Sequence, residues 1–342
     1  MKPLVTDRVG ALAGYTPGEQ PRGGRLIKLN TNENPYPPSG RIAEAVARAA
    51  GEGLELYPSA MADELRERAA SHYGVRAEQV LAGNGSDEIL SICLRACVDV
   101  GDRVAYTTPT YSLYRTLCEI AGAEVVEVPS RFCADLADTG ARVCFVCNPN
   151  SPLGYGVPAA EIEALAGSVD GLVVSDEAYV DFGDTSAIGL VGKVPNLLVV
   201  RTFSKSFSLA GARLGLAFAD AGLIAELAKV KDSYNVSRLA IAAGVAALDD
   251  HETMVSSVAR VRATRERVAG RLREGGYDVP DSSANFLWVG CGDGARDLYQ
   301  SLRQGGVLVR YFDAEGLRGG VRVTIGTDEH MDRFLELALA AR

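Results

Sequence analysis

Leu197-Leu198-Val199-Val200 runs into Arg201-Thr202-Phe203-Ser204-Lys205-Ser206-Phe207-Ser208-Leu209-Ala210-Gly211-Ala212-Arg213. Four apolar residues in a row read as a buried strand. A buried strand that ends in hydroxyls, one lysine and a following arginine is an odd thing to build for stability. A lysine carried off a strand end into a closed site loses hydration. That lowers its pKa and frees a neutral amine for imine chemistry. A lone lysine in such a place reads more simply as a surface-loop residue. The simpler reading leaves Asp176, Tyr179, Arg213 and a glycine-rich turn at 83–86 unexplained.

Outward from this segment, short apolar runs alternate with helical stretches from about residue 80. Strands are expected at 80–82, 103–106, 125–128, 143–146, 172–175, 197–200 and 214–219, with helices at 87–98 and 111–121 between them. Such alternation predicts an α/β fold with a mostly parallel sheet covered on both faces. Helices are also expected at 41–50 and 62–73, and the residues before about Ser39, rich in Gly, Pro and Asn, read as an extended arm. After Leu223 one long helical region is expected to about Glu274. Strands at 286–289, 307–311 and 321–325 follow, with helices near 296–303 and from 329. The expected organisation is an N-terminal arm (1–40), a large domain (41–245) and a smaller C-terminal α/β domain (246–342).

The bulk numbers set bounds. A chain of 342 residues with 47% hydrophobic and 23% charged residues is ordinary for a globular protein and needs no disulfide or metal to hold its core. A net charge of −9 argues against nucleic acid as the main partner. Cys144 and Cys147 form a C-x-x-C, but inside an apolar run, so they read as core thiols rather than a redox pair. The three histidines (His72, His251, His330) are dispersed, and no structural zinc or other metal is expected. Asp7 and Arg8 interrupt any leader-like apolar segment, and no run is long enough for a membrane span. Cytoplasmic residence is the expectation.

In open α/β sheets, ligands sit beyond the carboxyl ends of the strands. Four segments fall there. Gly83-Asn84-Gly85-Ser86-Asp87-Glu88 opens a helix and can present N–H groups to a phosphate, although Ser86 or Asp87 as a plain helix cap fits equally well. Asp176 follows a buried strand and can hold a ring nitrogen protonated, with Tyr179 in reach; a cap or turn role fits these residues alone. Cys147-Asn148-Pro149-Asn150-Ser151-Pro152-Leu153-Gly154 reads as a rigid turn, or as a loop that aims Asn148, Asn150 or Ser151 at a ring. In the fourth, Thr202-Phe203-Ser204-Lys205 lacks the nucleophilic Ser of an S-x-x-K acylase, and Arg213 suits either a phosphate or a surface ion pair. Taken together, a phosphate cradle, a carboxylate, a phenol, an imine-forming lysine and an arginine describe a site for pyridoxal 5'-phosphate.

The chain resembles the fold-type I aminotransferases that use this cofactor, and within them the histidinol-phosphate aminotransferase group. The resemblance covers nearly the whole chain. It is carried by Leu29 to Tyr36, Tyr57-Pro58, Gly83 to Glu88, Pro109 to Tyr111, Ser175 to Tyr179, Thr202 to Arg213, Lys231 to Asn235 and Val321 to Thr327. It implies that Lys205 carries the cofactor as an imine, that Asp176 pairs with the ring nitrogen, and that Tyr179 bonds the ring hydroxyl. Tyr111 would stack on the ring. Ser86, Asp87, Glu88, Thr202, Ser204 and Arg213 would surround the phosphate, and Tyr57 would reach it from the second subunit of a homodimer. Arg322 and Arg310 would take anionic groups of the substrate, with Tyr15 and Asn32 closing over the pocket. Many family members read Asn-Pro-Thr-Gly where this chain has Ser151-Pro152-Leu153-Gly154, which leaves the ring-hydroxyl partner open between Asn148, Asn150 and Ser151. The implied reaction passes an amino group from a small-molecule donor to a 2-oxo acid. Transamination of aromatic or specialised amino acids, and decarboxylation or elimination on the same cofactor, are the competing activities. An effector-sensing domain of a transcription regulator is the non-enzymatic alternative, and the acidic balance disfavours it.

Overall fold

The computed structural model describes residues 4–14, 18–20 and 26–342. Its centre is a seven-stranded sheet in the order Val80–Gly83, Gly215–Phe218, Leu197–Thr202, Leu172–Asp176, Val143–Cys147, Arg103–Thr107, Glu124–Val128. The last five run parallel, and Gly215–Phe218 is antiparallel to both of its neighbours.

The three middle strands are buried at every position. Successive side chains of a strand point to opposite faces, and here the alternation divides the core in two. Val143, Phe145, Val174, Leu198 and Val200 pack on one side with Ile89, Tyr114 and Leu227 from the helices Ser86–Cys97, Leu113–Ala121 and Ala221–Val230. Cys144, Val146, Val173, Leu197 and Val199 belong to the core on the other side. Continuous apolar runs arise because both faces need filling. The edge strand Glu124–Val128 keeps Glu124 and Glu127 exposed, and charge on an edge discourages pairing with another chain. Cys144 and Cys147 are buried free thiols within this sheet.

A second sheet has the order Arg310–Tyr311, Gly320–Thr324, Phe286–Gly290, all antiparallel. The arm contributes a short helix, Asp7–Gly10, and a strand, Ile27–Lys28, which pairs in parallel with Val307–Leu308. The run at 307–311 is therefore two short strands with different partners rather than one. The long helical region expected from Leu223 is also broken. It forms Ala221–Val230, Arg238–Asp249 and His251–Glu274. Tyr234 takes a left-handed φ of 53° and the Ser237 side chain accepts from Ala240 N, which ends one helix and starts the next. The expected boundary at 245/246 falls inside the second of these helices, which packs on Gly40–Gly51 and Asp63–Tyr73. Among the described residues, no helix is long and apolar enough to cross a membrane.

Candidate active site

The carboxyl ends of the middle strands deliver Cys147, Asp176 and Thr202 to one cavity. Tyr179, Lys205 and Arg213 join them from the following loops, and Arg310 and Arg322 come from the smaller sheet.

Lys205 follows the strand end by three residues, and its Nζ donates to the carbonyl of Thr31 at 3.2 Å. It lies 5.6 Å from the centroid of the Tyr179 ring. Burial, helped by the Arg322 guanidinium, brings the amine down from 10.5 to about 8. Neutral amine is therefore accessible near physiological pH.

Asp176 is buried. The Tyr114 hydroxyl donates to its Oδ2 at 2.7 Å, while Oδ1 has no hydrogen-bond partner among the described residues. Burial pushes the carboxyl up from 3.8 to about 6, and the Tyr114 hydrogen bond opposes this. A buried acceptor left open calls for a donor, and a cationic one suits it best. Tyr179 accepts from Asn32 Nδ2 at 3.0 Å and meets Phe286 edge-on at 5.1 Å. Burial raises its phenol to about 12, so its proton stays available for donation.

At the other end, the helix Ser86–Cys97 starts from Gly85, which has a φ of 89° and supplies no side-chain cap. The sequence left Ser86 or Asp87 as the cap; both instead lie in the first turn. Ser86 and Asp87 line the cavity at this helix start, where uncapped first-turn N–H groups favour an anion. Gly85 is needed for its φ, and a Cβ there would in addition come within 2.6 Å of Arg213 Nη2 and displace that guanidinium. Arg213 donates to Ser204 Oγ at 3.2 Å and to Asp87 Oδ2 at 3.4 Å. The Thr202 and Ser204 hydroxyls stand 3.0 Å apart beside it. Tyr111 donates to Asp87 Oδ1 at 3.3 Å and meets Tyr114 edge-on at 5.6 Å.

Arg310 and Arg322 are opposite one another in the antiparallel register. Arg322 donates to Ser151 Oγ at 3.0 Å and to the carbonyl of Asn30 at 3.2 Å. Both guanidinium groups lie over the Phe312 ring, at 5.3 Å for Arg310 and 5.5 Å for Arg322. Two planar cations against one aromatic ring suit an anionic substrate group.

Residues 25–337 match the family described as aminotransferase class I and II. The chain belongs to that family. It is 45% identical to histidinol-phosphate aminotransferase 1 of Nostoc sp. over 96% of this chain and 95% of that protein. It is 43% identical to a histidinol-phosphate aminotransferase of Syntrophotalea carbinolica over 96% of both. Its fold superposes with a TM-score of 0.89 on the crystal structure of histidinol-phosphate aminotransferase from Sinorhizobium meliloti in complex with pyridoxal-5'-phosphate. That pair is 24% identical, with 99% of this chain and 97% of the other covered. The chain is thus a transaminase of the pyridoxal-phosphate-dependent class, with the α/β fold-type I architecture.

The aminotransferase site fits that cofactor on its own geometry. The open Oδ1 of Asp176 matches a ring N–H, and the uncapped helix start with Arg213 matches a phosphate. Ser86, Asp87, Tyr111, Asp176 and Tyr179 all line the cavity, as do Thr202, Ser204, Lys205 and Arg213. Asn32, Ser151, Arg310 and Arg322 do so too.

Three expected residues, Glu88, Asn148 and Asn150, are not brought there, and Tyr57 is expected from a second subunit rather than from this one. Glu88 turns back, accepting from Asn84 N and from Asn235 Nδ2 at 2.7 Å. Asn148 spends its amide on Thr185 O at 2.8 Å and Val157 N at 2.8 Å. Asn150 bonds Pro109 O and Leu153 N, both at 3.1 Å. Of the three candidates left open in this loop, Ser151 is the one at the cavity. Tyr57 is 78% exposed and stacks on Tyr234 at 4.5 Å. Tyr15 lies outside the described residues.

Sequence reasoning missed Tyr114, Thr31 and Phe312. The first follows Tyr111 by three residues at a helix start, and the last follows Arg310 by two in an extended segment. Each spacing puts the pair on one face.

Proposed function

We propose that this aminotransferase takes the amino group of L-histidinol phosphate and passes it to 2-oxoglutarate. The observation that carries the reading is the facing pair Arg310 and Arg322 in the same cavity as Lys205 and Asp176. Guanidinium forks suit a phosphate monoester, and relatives named for this donor align over nearly the full chain.

When bound, pyridoxal phosphate supplies an electron-withdrawing ring conjugated to the substrate nitrogen. Asp176 would accept from the protonated ring nitrogen through its open Oδ1, with Tyr114 fixing the carboxylate. Tyr179, held by Asn32, would donate a hydrogen bond to the ring hydroxyl, with Ser151 lining the same cavity. Tyr111 would lie against the ring. Ser86, Asp87, Thr202, Ser204 and Arg213 would hold the phosphate end. Lys205 would take the proton from the substrate Cα and hold it for return beside the same site, a task suited to an amine with a pKa of about 8.

The proposed enzyme is a homodimer. Tyr57 and Tyr234 form an exposed aromatic stack, and Leu54 and Leu56 beside Tyr57 are also exposed. A second copy covering them would bring Tyr57 towards its partner's phosphate site. Sedimentation at working concentration should give the dimer mass; a monomer that is fully active removes this part of the reading. The free state of all seven cysteines suits a cytoplasmic enzyme.

The test is amino transfer to 2-oxoglutarate from histidinol phosphate, set against phenylalanine and threonine phosphate. Histidinol phosphate should give the highest kcat/KM, and an inert histidinol phosphate beside a fast alternative refutes the assignment. Arg322→Ala should raise KM for the phosphorylated donor by about 10- to 100-fold, the loss of one charge-assisted contact. An unchanged KM would take Arg322 out of the substrate site.

A further inference from the structure

Behind the cavity lies a buried charge cluster that the reaction, as described, does not use. Glu177 follows Asp176 directly, and its carboxylate is fully enclosed. It accepts from Arg201 Nε at 3.1 Å, from Ser186 Oγ at 2.8 Å and from Ala187 N. Arg201 extends on to Asp181 Oδ1 at 2.8 Å. The other oxygen of Asp181 accepts a short hydrogen bond from Ser206, the residue next to Lys205. A continuous polar chain therefore joins the neighbour of Asp176 to the neighbour of Lys205.

Burying Arg201 and Glu177 and partly burying Asp181 is costly, and ion pairs of this kind are poor sources of net stability. Arg201, Glu177 and Asp181 are held by several hydrogen bonds each or by paired contacts, so the cluster is rigid. Lys205 itself is only half-buried, on a loop with no regular structure. Its main chain is also tied by Asn34 Nδ2, which donates to the carbonyls of Lys205 and Ser206, both at 3.2 Å, and by Ser208 N, which donates to the Lys205 carbonyl at 3.3 Å.

We propose that Ser206 and Asp181, anchored on the Arg201–Glu177 pair, form a positioning unit that fixes Lys205 relative to Asp176. The proposal rests on Lys205 being the reactive amine. The unit acts from outside the cavity: Ser206, Asp181, Arg201 and Glu177 are absent from its lining. Removing the Ser206 hydroxyl frees one end of the chain, leaves the buried ion pairs intact and lets the lysine loop move towards water.

Ser206→Ala is the primary test, because it takes out no charge and should fold. The first readout uses the cofactor-free protein: the pH dependence of Lys205 acetylation by acetic anhydride, followed by peptide mass spectrometry. The midpoint should move upward from the wild-type value, since a looser lysine regains hydration. In the loaded enzyme kcat should fall about 10-fold, with KM for the donor nearly unchanged, as expected for misplacement of the reacting group rather than lost binding. Ser206→Thr, which keeps the hydroxyl, should restore both. A wild-type labelling midpoint in Ser206→Ala overturns the proposal. So does a fall in kcat that Ser206→Thr fails to repair. If instead Lys205 in the wild-type protein labels like an ordinary surface lysine, with no cofactor attached to it after borohydride treatment, the underlying reading of Lys205 fails and not only this refinement.

Discussion

Lys205→Ala should abolish the visible absorbance of the cofactor-loaded protein and lower transamination by about 10⁴-fold. The expectation follows from the amine's surroundings. Burial and the Arg322 cation bring it to about 8, and it points at the Thr31 carbonyl beside the Tyr179 ring. No other lysine lines the cavity among the described residues. Lys205→Arg should fail as completely, since a guanidinium stays charged at working pH and cannot act as the base. The checks are an absorbance spectrum after reconstitution and single-turnover kinetics with histidinol phosphate. A Lys205→Ala protein that remains yellow and keeps a tenth of its activity would place the reactive amine elsewhere.

Asp176→Asn should cut kcat by about 10³-fold and at the same time stabilise the cofactor-free protein. The first effect comes from losing the charge that holds the ring nitrogen protonated. The second comes from linkage. Burial raises the Asp176 carboxyl from 3.8 to about 6, so the folded state binds its proton more tightly than the unfolded chain does. Stability from this group is full below about pH 4 and is lost as pH rises through about 6, a cost of about 3 kcal/mol at neutral pH. The neutral amide avoids most of it. The cofactor-free wild type should therefore melt at a lower temperature at pH 7 than at pH 5 relative to Asp176→Asn, and the variant should gain about 3–4 °C at pH 7. Calorimetry of both proteins without cofactor decides the matter. If the variant melts lower at pH 7, the carboxylate is satisfied in the empty site and its open Oδ1 has another explanation.

These two residues were legible in the sequence because each lies shortly beyond a run of apolar residues that a sheet buried on both faces explains: Asp176 two residues after Val174, Lys205 five after Val200. The position of a polar side chain beyond such a run nearly dictates that it faces the ligand crevice. Asn148 and Asn150 were not legible for the opposite reason. In a loop dense in Asn and Pro, an amide can equally face a ligand or close the loop's own turns, and here both serve the loop. Tyr114 was hidden because it sits on the apolar face of its helix, where an aromatic residue needs no further reason. Its hydroxyl's hold on Asp176 depends on a partner 62 positions away. The helix breaks near Tyr234 and Asp250 were missed although the sequence marks them: Lys231 to Asn235 and Asp249 to Glu252 are polar interruptions, and Ser237 offers a cap signal.

The pairing of Ile27–Lys28 with Val307–Leu308 has a consequence for biosynthesis. Asn32, which holds Tyr179, is itself fixed by Thr324, 292 positions later. While the polypeptide is still leaving the ribosome, the seven-stranded sheet can assemble and Lys205 can emerge folded, yet the arm has nothing to dock on. Capture of the vitamin must then tighten only after translation has passed Thr324, so nascent chains stalled before that point should hold it loosely.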